Sequence, residues 1–182
     1  TRKMKLTEFE RILDMIVPKY GSPQINLEGS GEPTMAKDLY LYVSAVKKRK
    51  LKCFMYCNGA RLNGDFMKKV IDAGIDFIRI SVIGYNENLY KKWMDVDNFK
   101  LILSNLTEIK KYILVSGSKC QLSTYHLITD NNKEKFEIEE YKKNVIEKVG
   151  IEKSYIWKMH NWSGNYENKK EKKGIEKTSC GR

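Results

Sequence analysis

Short apolar strand patterns alternate with amphipathic helix patterns along most of this chain, and this alternation limits the possible folds more than any other feature. Strand patterns lie near residues 24–28, 52–57, 77–83, 119–127 and 153–159. Helix patterns lie near residues 7–20, 37–50, 63–74, 97–111 and 133–149. Strands that alternate with helices of 10 to 15 residues are typical of βαβ units, so the sequence predicts an α/β fold with a parallel sheet.

The order of the elements predicts an incomplete barrel. The first pattern is a helix, in which Thr7 and Glu10 have the spacing of a capping box. In a βαβ series such a helix follows a strand, so we expect one more strand before it. The predicted fold is therefore a partial (β/α)6 TIM-like barrel with parallel strands, whose first strand is missing. Ligands of parallel α/β folds bind at the carboxyl ends of the strands, and we expect the site there.

Composition and charge exclude several classes of protein. No run approaches the roughly 18 apolar residues that a transmembrane helix needs, and no signal peptide is recognisable, so we expect a cytoplasmic protein without a membrane partner. The net charge is +11. The lysines, such as those of residues 47–50, are spread over polar helix faces without interleaved aromatic residues. This distribution favours solvated helix surfaces over nucleic-acid binding.

Three predicted strands end in residues that suit a ligand site. The first leads into Gly29, Ser30, Gly31, Glu32 and Pro33, and its small residues would let a ligand approach the backbone. The second ends in Asn58-Gly59, a turn signal. The third places Arg79 and Ser81 on one face, where a filled barrel would carry branched apolar residues, and so indicates a lined cavity. Taken alone, residues 29–33 are equally compatible with an ordinary βα turn, and Asn58-Gly59 is readily explained as one.

In order and spacing, these motifs resemble the core domain of the radical S-adenosylmethionine (radical SAM) superfamily. Residues 25–33 resemble the family's second-strand motif, whose turn backbone binds the amino group of the cofactor. Residues 56–59 resemble its third-strand "TNG" ending, with Cys57 in place of threonine. Residues 74–84 resemble its fourth-strand segment, in which Ser81 would contact the cofactor. The resemblance also places Gln121 near the ribose or carboxylate of S-adenosylmethionine.

The resemblance implies an enzyme that reductively cleaves S-adenosylmethionine to a 5′-deoxyadenosyl radical, which abstracts hydrogen from a substrate. The residues expected to bind the cofactor are Gly29, Ser30, Gly31, Glu32, Pro33, Asn58, Ser81 and Gln121, with Glu32 organising the turn. The family's [4Fe–4S] cluster is held by a CxxxCxxC loop after the first strand, and this chain lacks that loop. The cluster ligands are therefore expected outside the chain, which alone would be inactive. No catalytic residue is predicted.

The end of the chain resembles the junction into a SPASM extension, which holds an auxiliary iron–sulfur cluster. The similar segments are residues 158–164 and 178–182, and Cys180 would be the first ligand. We therefore predict a partial radical SAM core over residues 1–159 and a junction to a truncated SPASM extension over residues 160–182. SPASM-type enzymes often modify peptides, so the implied partners are a peptide substrate and an electron donor such as a flavodoxin or ferredoxin.

The CxxxC of Cys53 and Cys57 does not have the geometry of a metal site. Residues four apart on a strand are separated by about 13 Å, too far for a shared metal or a disulfide. Both thiols, and that of Cys120, are predicted to be buried packing groups. His126 and His160 have no second ligand at metal-binding spacing and are predicted to be hydrogen-bonded or exposed.

Two other functions remain open from the sequence. One is a catalytically silent barrel that serves as a binding module, because the cluster ligands are absent from the chain. The other is a basic α/β domain that binds nucleic acid, for which steeply salt-dependent RNA binding would be the evidence.

Overall fold

Five parallel strands form one sheet at the centre of the protein. The computed structural model describes residues 3–21, 23–29 and 31–159. Within these ranges the strands follow one another across the sheet in chain order, and every neighbouring pair is parallel. They are β1 (Gln24–Asn26), β2 (Lys52–Cys57), β3 (Phe77–Ser81), β4 (Gln121–Ile128) and β5 (Lys153–Lys158). The predicted α/β class and parallel sheet are confirmed.

Six helices connect or precede these strands in the part of the chain that the structure describes. They are α1 (Leu6–Tyr20), α2 (Leu39–Lys48), α3 (Gly64–Asp72), α4 (Glu87–Met94), α5 (Phe99–Ser116) and α6 (Glu134–Tyr141). A π-helical segment, Lys142–Glu147, continues α6, and short 3-10 turns lie at Pro33–Met35 and Asn131–Lys133. None of the described helices has the length and apolar character that crossing a bilayer requires.

The helices cover one face of the sheet, because right-handed crossovers between strands in sequential order place every helix on the same side. On this face Met55, Ile78 and Ile80 are fully buried in a cluster with side chains of the helices. Apolar burial here is the main source of the fold's stability, at roughly 25 cal/mol per Å².

The opposite face carries a row of polar and aromatic side chains, which we call the helix-free face. By the strand register it comprises Gln24, Asn26, Lys52, Phe54, Tyr56, Phe77, Arg79, Ser81, Gln121, Ser123, Tyr125, Leu127, Lys153, Tyr155 and Trp157. Most of these side chains are half-buried or exposed. In a closed barrel this face is the interior, and its polarity agrees with the predicted lined cavity.

The predicted capping box at Thr7 is wrong. Helix α1 begins at Leu6, and Lys5 is its N-cap. The backbone N–H of Lys5 donates to Oε2 of Glu8 at 3.1 Å, so the acidic side chain that closes the first turn is Glu8 and not Glu10. The helix starts earlier because Leu6 packs against the core and belongs to the apolar face.

The helix α4 is absent from the sequence prediction, although its start has a recognisable cap. Oδ1 of Asn86 accepts a hydrogen bond from Leu89 N–H at 2.9 Å, and Tyr90 is 1% exposed. Just before it, Gly84 has a φ of +123°, and a Cβ there would lie 2.5 Å from the backbone nitrogen of Tyr90. The turn from β3 into α4 therefore requires glycine.

We expect Gly84→Ala to destabilise the protein strongly, because it combines an unfavourable φ with a collision against helix backbone. Gly117 is the matched control: its φ is +66°, but a Cβ there meets nothing within 4 Å. Gly117→Ala should lower the free energy of unfolding by about 1 kcal/mol, and Gly84→Ala by at least about 2 kcal/mol more. Urea unfolding of both variants measures the difference. Equal losses would show that the close approach to Tyr90 is not stabilising.

Candidate functional site

The turn after β1 is held against the end of β2 by the carboxylate of Glu32. Its Oε1 accepts hydrogen bonds from Thr34 N–H at 3.0 Å and from the Thr34 hydroxyl at 2.6 Å. Its Oε2 accepts from the backbone N–H of Asn58 at 2.8 Å. One side chain thus joins the carboxyl ends of β1 and β2. Glu32 organises the turn, as expected, and Pro33 begins the 3-10 turn that follows.

The loop after β2 is fixed by its own side chain and by a buried amide from α5. Oδ1 of Asn58 accepts from Ala60 N–H at 2.9 Å. Nδ2 of Asn105, which is 3% exposed, donates to the carbonyls of Gly59 at 2.8 Å and Ala60 at 3.2 Å. The sequence prediction missed Asn105, although a lone amide within the apolar series of α5 is a signal that could have revealed it.

Ser81 ends β3 on the helix-free face and lies beside the Asn58 loop. Cys57 pairs with Ile80 across the two strands, so the next residues, Asn58 and Ser81, emerge at the same edge of the sheet. The carboxyl ends of β1, β2 and β3 are therefore brought together, as the sequence predicts. Gly29 and Gly31 border this edge, and a Cβ at either position would meet nothing within 4 Å. Open space thus adjoins the backbone of the turn.

A buried histidine supports the loop that follows Ser81. The backbone N–H of Gly84 donates to Nδ1 of His126 at 3.2 Å, and Nε2 of His126 lies 3.1 Å from Oε1 of Glu137. Nδ1 also lies 3.2 Å from the carbonyl oxygen of Val82. Because an ionised carboxylate only accepts hydrogen bonds, Nε2–H donates to Glu137. The ring also stacks on Tyr141, with centroids 4.3 Å apart. His126 is a hydrogen-bonded core residue, and this prediction is confirmed.

Glu137 is the centre of this network. It is 2% exposed, and its carboxylate also accepts hydrogen bonds from the backbone N–H groups of Thr129 and Asp130 and from the Thr129 hydroxyl. Burial by itself would raise the pKa of Glu137, but the hydrogen bonds from His126, Thr129 and Asp130 outweigh it and hold the pKa below its ordinary value. The end of β4 is thereby fastened to α6. Sequence reasoning did not identify Glu137.

The structure does not bring Gln121 together with the other predicted cofactor residues. Gln121 begins β4 opposite Phe77, whereas Ser81 lies opposite Tyr125. Four strand residues separate the two levels, which amounts to about 13 Å. Gln121 is therefore at the amino edge of the sheet, away from the turn of Glu32. Ser30, His160, Cys180 and the predicted junction of residues 160–182 lie outside the described residues.

The three described cysteines form no metal site. Cys53 and Cys57 are buried under the helices, and so is Cys120. Burial raises the pKa of the Cys53 and Cys120 thiols to about 12 and raises that of Cys57 as well, so none is a ready thiolate. Within the described ranges no three His, Cys, Asp or Glu side chains are grouped to hold a metal ion. The prediction of packing thiols is confirmed.

Comparison with known proteins decides the family. The model of the radical SAM superfamily matches residues 1–146 of the chain. The chain belongs to this superfamily. A probable GTP 3′,8-cyclase of Thermococcus kodakarensis is 30% identical over 106 residues, which are 58% of this chain and 34% of that protein. The Fe-coproporphyrin III synthase of Methanosarcina barkeri is 30% identical over 81 residues, 44% of this chain and 20% of that protein.

Solved radical SAM structures share the fold of the chain. SuiB of Streptococcus suis bound to S-adenosylmethionine has a TM-score of 0.69 at 18% identity, covering 88% of this chain and 35% of that one. SuiB bound to its precursor peptide SuiA has a TM-score of 0.68 at 19% identity, covering 90% of this chain and 35% of that one. The predicted partial TIM-like barrel is confirmed, and the chain spans about a third of the length of SuiB.

The radical SAM superfamily consists of enzymes that use S-adenosylmethionine and a [4Fe–4S] cluster. The described residues fit the first of these cofactors. The turn of Gly29 and Gly31 borders open space, and Asn58 and Ser81 lie beside it. They do not fit the cluster, because all three described thiols are buried beneath the helices. That the cluster ligands lie outside the chain therefore stays a prediction.

Proposed function

We propose that this protein is a radical SAM enzyme that binds S-adenosylmethionine at the carboxyl ends of β1, β2 and β3. When bound, the cofactor would supply the family's reductive cleavage and the abstraction of hydrogen from a substrate. The proposal rests on the carboxylate of Glu32, which accepts hydrogen bonds from both Thr34 and the backbone N–H of Asn58. These bonds hold the turn of Gly29 and Gly31 beside Asn58, with open space next to its backbone.

Each residue of the proposed site has a separate task. The backbone of the turn would bind the amino group of the cofactor, and Glu32 would hold that backbone in place. The hydroxyl of Ser81 reaches the same edge from the helix-free face and would bind a polar atom of the cofactor. Asn105 fixes the loop of Asn58 from behind and acts as a positioning residue. Gln121 has no part in the proposed site.

The finer assignments rest on resemblance and charge. A peptide substrate and an auxiliary cluster with Cys180 as a ligand are supported by the likeness of the tail to a SPASM junction and by the fold shared with SuiB, whose structure holds a precursor peptide. A cytoplasmic flavodoxin or ferredoxin would supply the electrons. A cavity of about 450 Å³ at the rim of the site is lined by Lys37, Arg61 and Lys69 without an acidic side chain, and would attract such an acidic partner.

The test is made on the full-length product of the gene that encodes this chain, reconstituted with iron and sulfide without oxygen. On reduction with dithionite, S-adenosylmethionine should yield 5′-deoxyadenosine, measured by mass spectrometry. Ser81→Ala should raise the Kd for S-adenosylmethionine about 3–10-fold through the lost hydrogen bond. The control Ser116→Ala, at the exposed end of α5, should leave it unchanged. A protein that contains its cluster and forms no 5′-deoxyadenosine would refute the proposed function.

A further inference from the structure

Two buried polar atoms on neighbouring strands of the helix-free face have no hydrogen-bond partner. They are Nε of Arg79 and Oγ of Ser123. The strand register places these residues directly opposite each other on β3 and β4. Ser123 is 0% exposed. A buried polar group that lacks a partner costs roughly 1–3 kcal/mol, so two adjacent ones call for an explanation.

Aromatic rings surround the guanidinium of Arg79, and none of them provides a hydrogen-bond partner for its Nε–H. The central carbon, Cζ, lies 3.5 Å from the ring centroid of Tyr155, 4.8 Å from that of Tyr56 and 5.2 Å from that of Phe77. Stacked rings stabilise the charge through the faces of the guanidinium. Its N–H donors lie in the plane of the group, and Nε–H stays available to an acceptor there.

The helix-free face offers this cation no counter-charge. Among the described strand residues on this face, the charged ones are Lys52, Arg79 and Lys153, and none is acidic. No described carboxylate forms an ion pair with Arg79, whereas Lys52 has Asp76 at 3.2 Å. A half-buried cation is stable when an anion meets it, and guanidinium binds carboxylates and phosphates through two parallel hydrogen bonds.

We propose that Arg79 and Ser123 bind an anionic group of the substrate, a carboxylate or a phosphate, inside the barrel. This inference rests on the proposed function, since it names the substrate class of the same site. Arg79 lies two residues before Ser81 on β3, about 6.6 Å deeper along the strand. The anion therefore lies deeper in the barrel than the carboxyl edge of the sheet, where the cofactor binds. The side chains of Tyr56 and Tyr155 line the space beside it. Arg79 and Ser123 are specificity-determining residues.

Calorimetric titration of the full-length gene product with inorganic pyrophosphate and with succinate, at constant ionic strength, tests this site. We expect one saturable site for at least one of the two probes. Arg79→Met should raise the Kd at least tenfold, and Ser123→Ala about 3–10-fold. Arg11→Met removes the same charge from the exposed surface of α1 and should change the Kd less than twofold. Unchanged affinity in both Arg79→Met and Ser123→Ala, or an equal loss in Arg11→Met, would overturn the proposal.

Ser123→Ala keeps the test valid if Arg79→Met fails to fold, because it removes only a hydroxyl. Adding S-adenosylmethionine separates the two sources of a carboxylate. A Kd for the probe that is unchanged by saturating cofactor supports a substrate anion, whereas competitive displacement assigns the carboxylate to the cofactor and refutes the substrate assignment. Formation of 5′-deoxyadenosine is measured on the same wild-type sample. Its absence alongside intact anion binding would locate the failure in the proposed function and not in the anion site.

Discussion

Glu137→Ala should lower the free energy of unfolding by about 3–5 kcal/mol, the range for removing one partner from a buried polar pair. The substitution would leave Nε2–H of His126 and the backbone N–H groups of Thr129 and Asp130 without their acceptor. Urea unfolding, followed by circular dichroism, measures the loss. The effect should reach the candidate site, because His126 accepts from Gly84 in the loop after Ser81.

Glu134→Ala is the matched control on the same helix. Glu134 pairs with Lys158 at 2.8 Å at the surface, so its removal should cost at most about 1 kcal/mol. Similar losses in the two variants would contradict the central role of the Glu137 network.

The pH dependence of the same network has a defined sign. The pKa of Glu137 is lowered in the folded protein relative to its ordinary value of 4.5, so the folded state binds fewer protons there than the unfolded state. Its contribution to stability is then complete above about pH 4.5 and is lost as the pH falls through the folded pKa. The difference in stability between wild type and Glu137→Gln should therefore shrink below pH 4.5. A constant difference would contradict the lowered pKa.

Glu32→Ala should weaken the binding of S-adenosylmethionine and destabilise the protein moderately. The carboxylate is the acceptor for Thr34, which is 3% exposed, and for the N–H of Asn58, so its removal should cost about 1–3 kcal/mol. Without this bridge the turn of Gly29 and Gly31 loses its attachment to β2. We expect the Kd for S-adenosylmethionine to rise at least about tenfold, equivalent to 1.4 kcal/mol.

Glu28→Ala provides the comparison, because Glu28 is an exposed carboxylate beside the same turn. It should bind S-adenosylmethionine as the wild type does. If Glu32→Ala lowers stability but leaves the affinity unchanged, the turn is a structural element only and the proposed cofactor site is wrong.

Much of the fold could be predicted because it depends on local patterns. The β-branched run of β3 and the Asn58-Gly59 turn identify their elements within a few residues, and alternation with helices identifies the parallel sheet. The prediction is wrong where tertiary contacts determine whether a helix forms or where it begins. Leu6 packs on the core and shifts the start of α1, and α4 is a short helix whose Tyr90 is buried against its neighbours.

The candidate site was predicted in part for the same reason. Strand-end motifs identify Glu32, Asn58 and Ser81, because parallel strands bring their carboxyl ends to one edge. Gln121 was assigned to that edge from resemblance alone, and register places it at the other edge. Glu32 binds Asn58, 26 residues further along the chain, and His126 binds Glu137, 11 residues further. The periodicity of a sequence does not predict such contacts.

The helix-covered face of the sheet contributes most of the stability, whereas the helix-free face carries the proposed site. This separation affects how such proteins can diverge. Residues under the helices, such as Ile78 and Ile80, are closely packed, so most changes there destabilise the protein. Residues of the helix-free face, such as Tyr125 and Trp157, support little of the core and can change at small cost to folding. Mutation can therefore explore new substrates on one side of each strand while selection for folding acts on the other. A single scaffold can in this way serve relatives whose names denote reactions as different as those of a GTP cyclase and a coproporphyrin synthase.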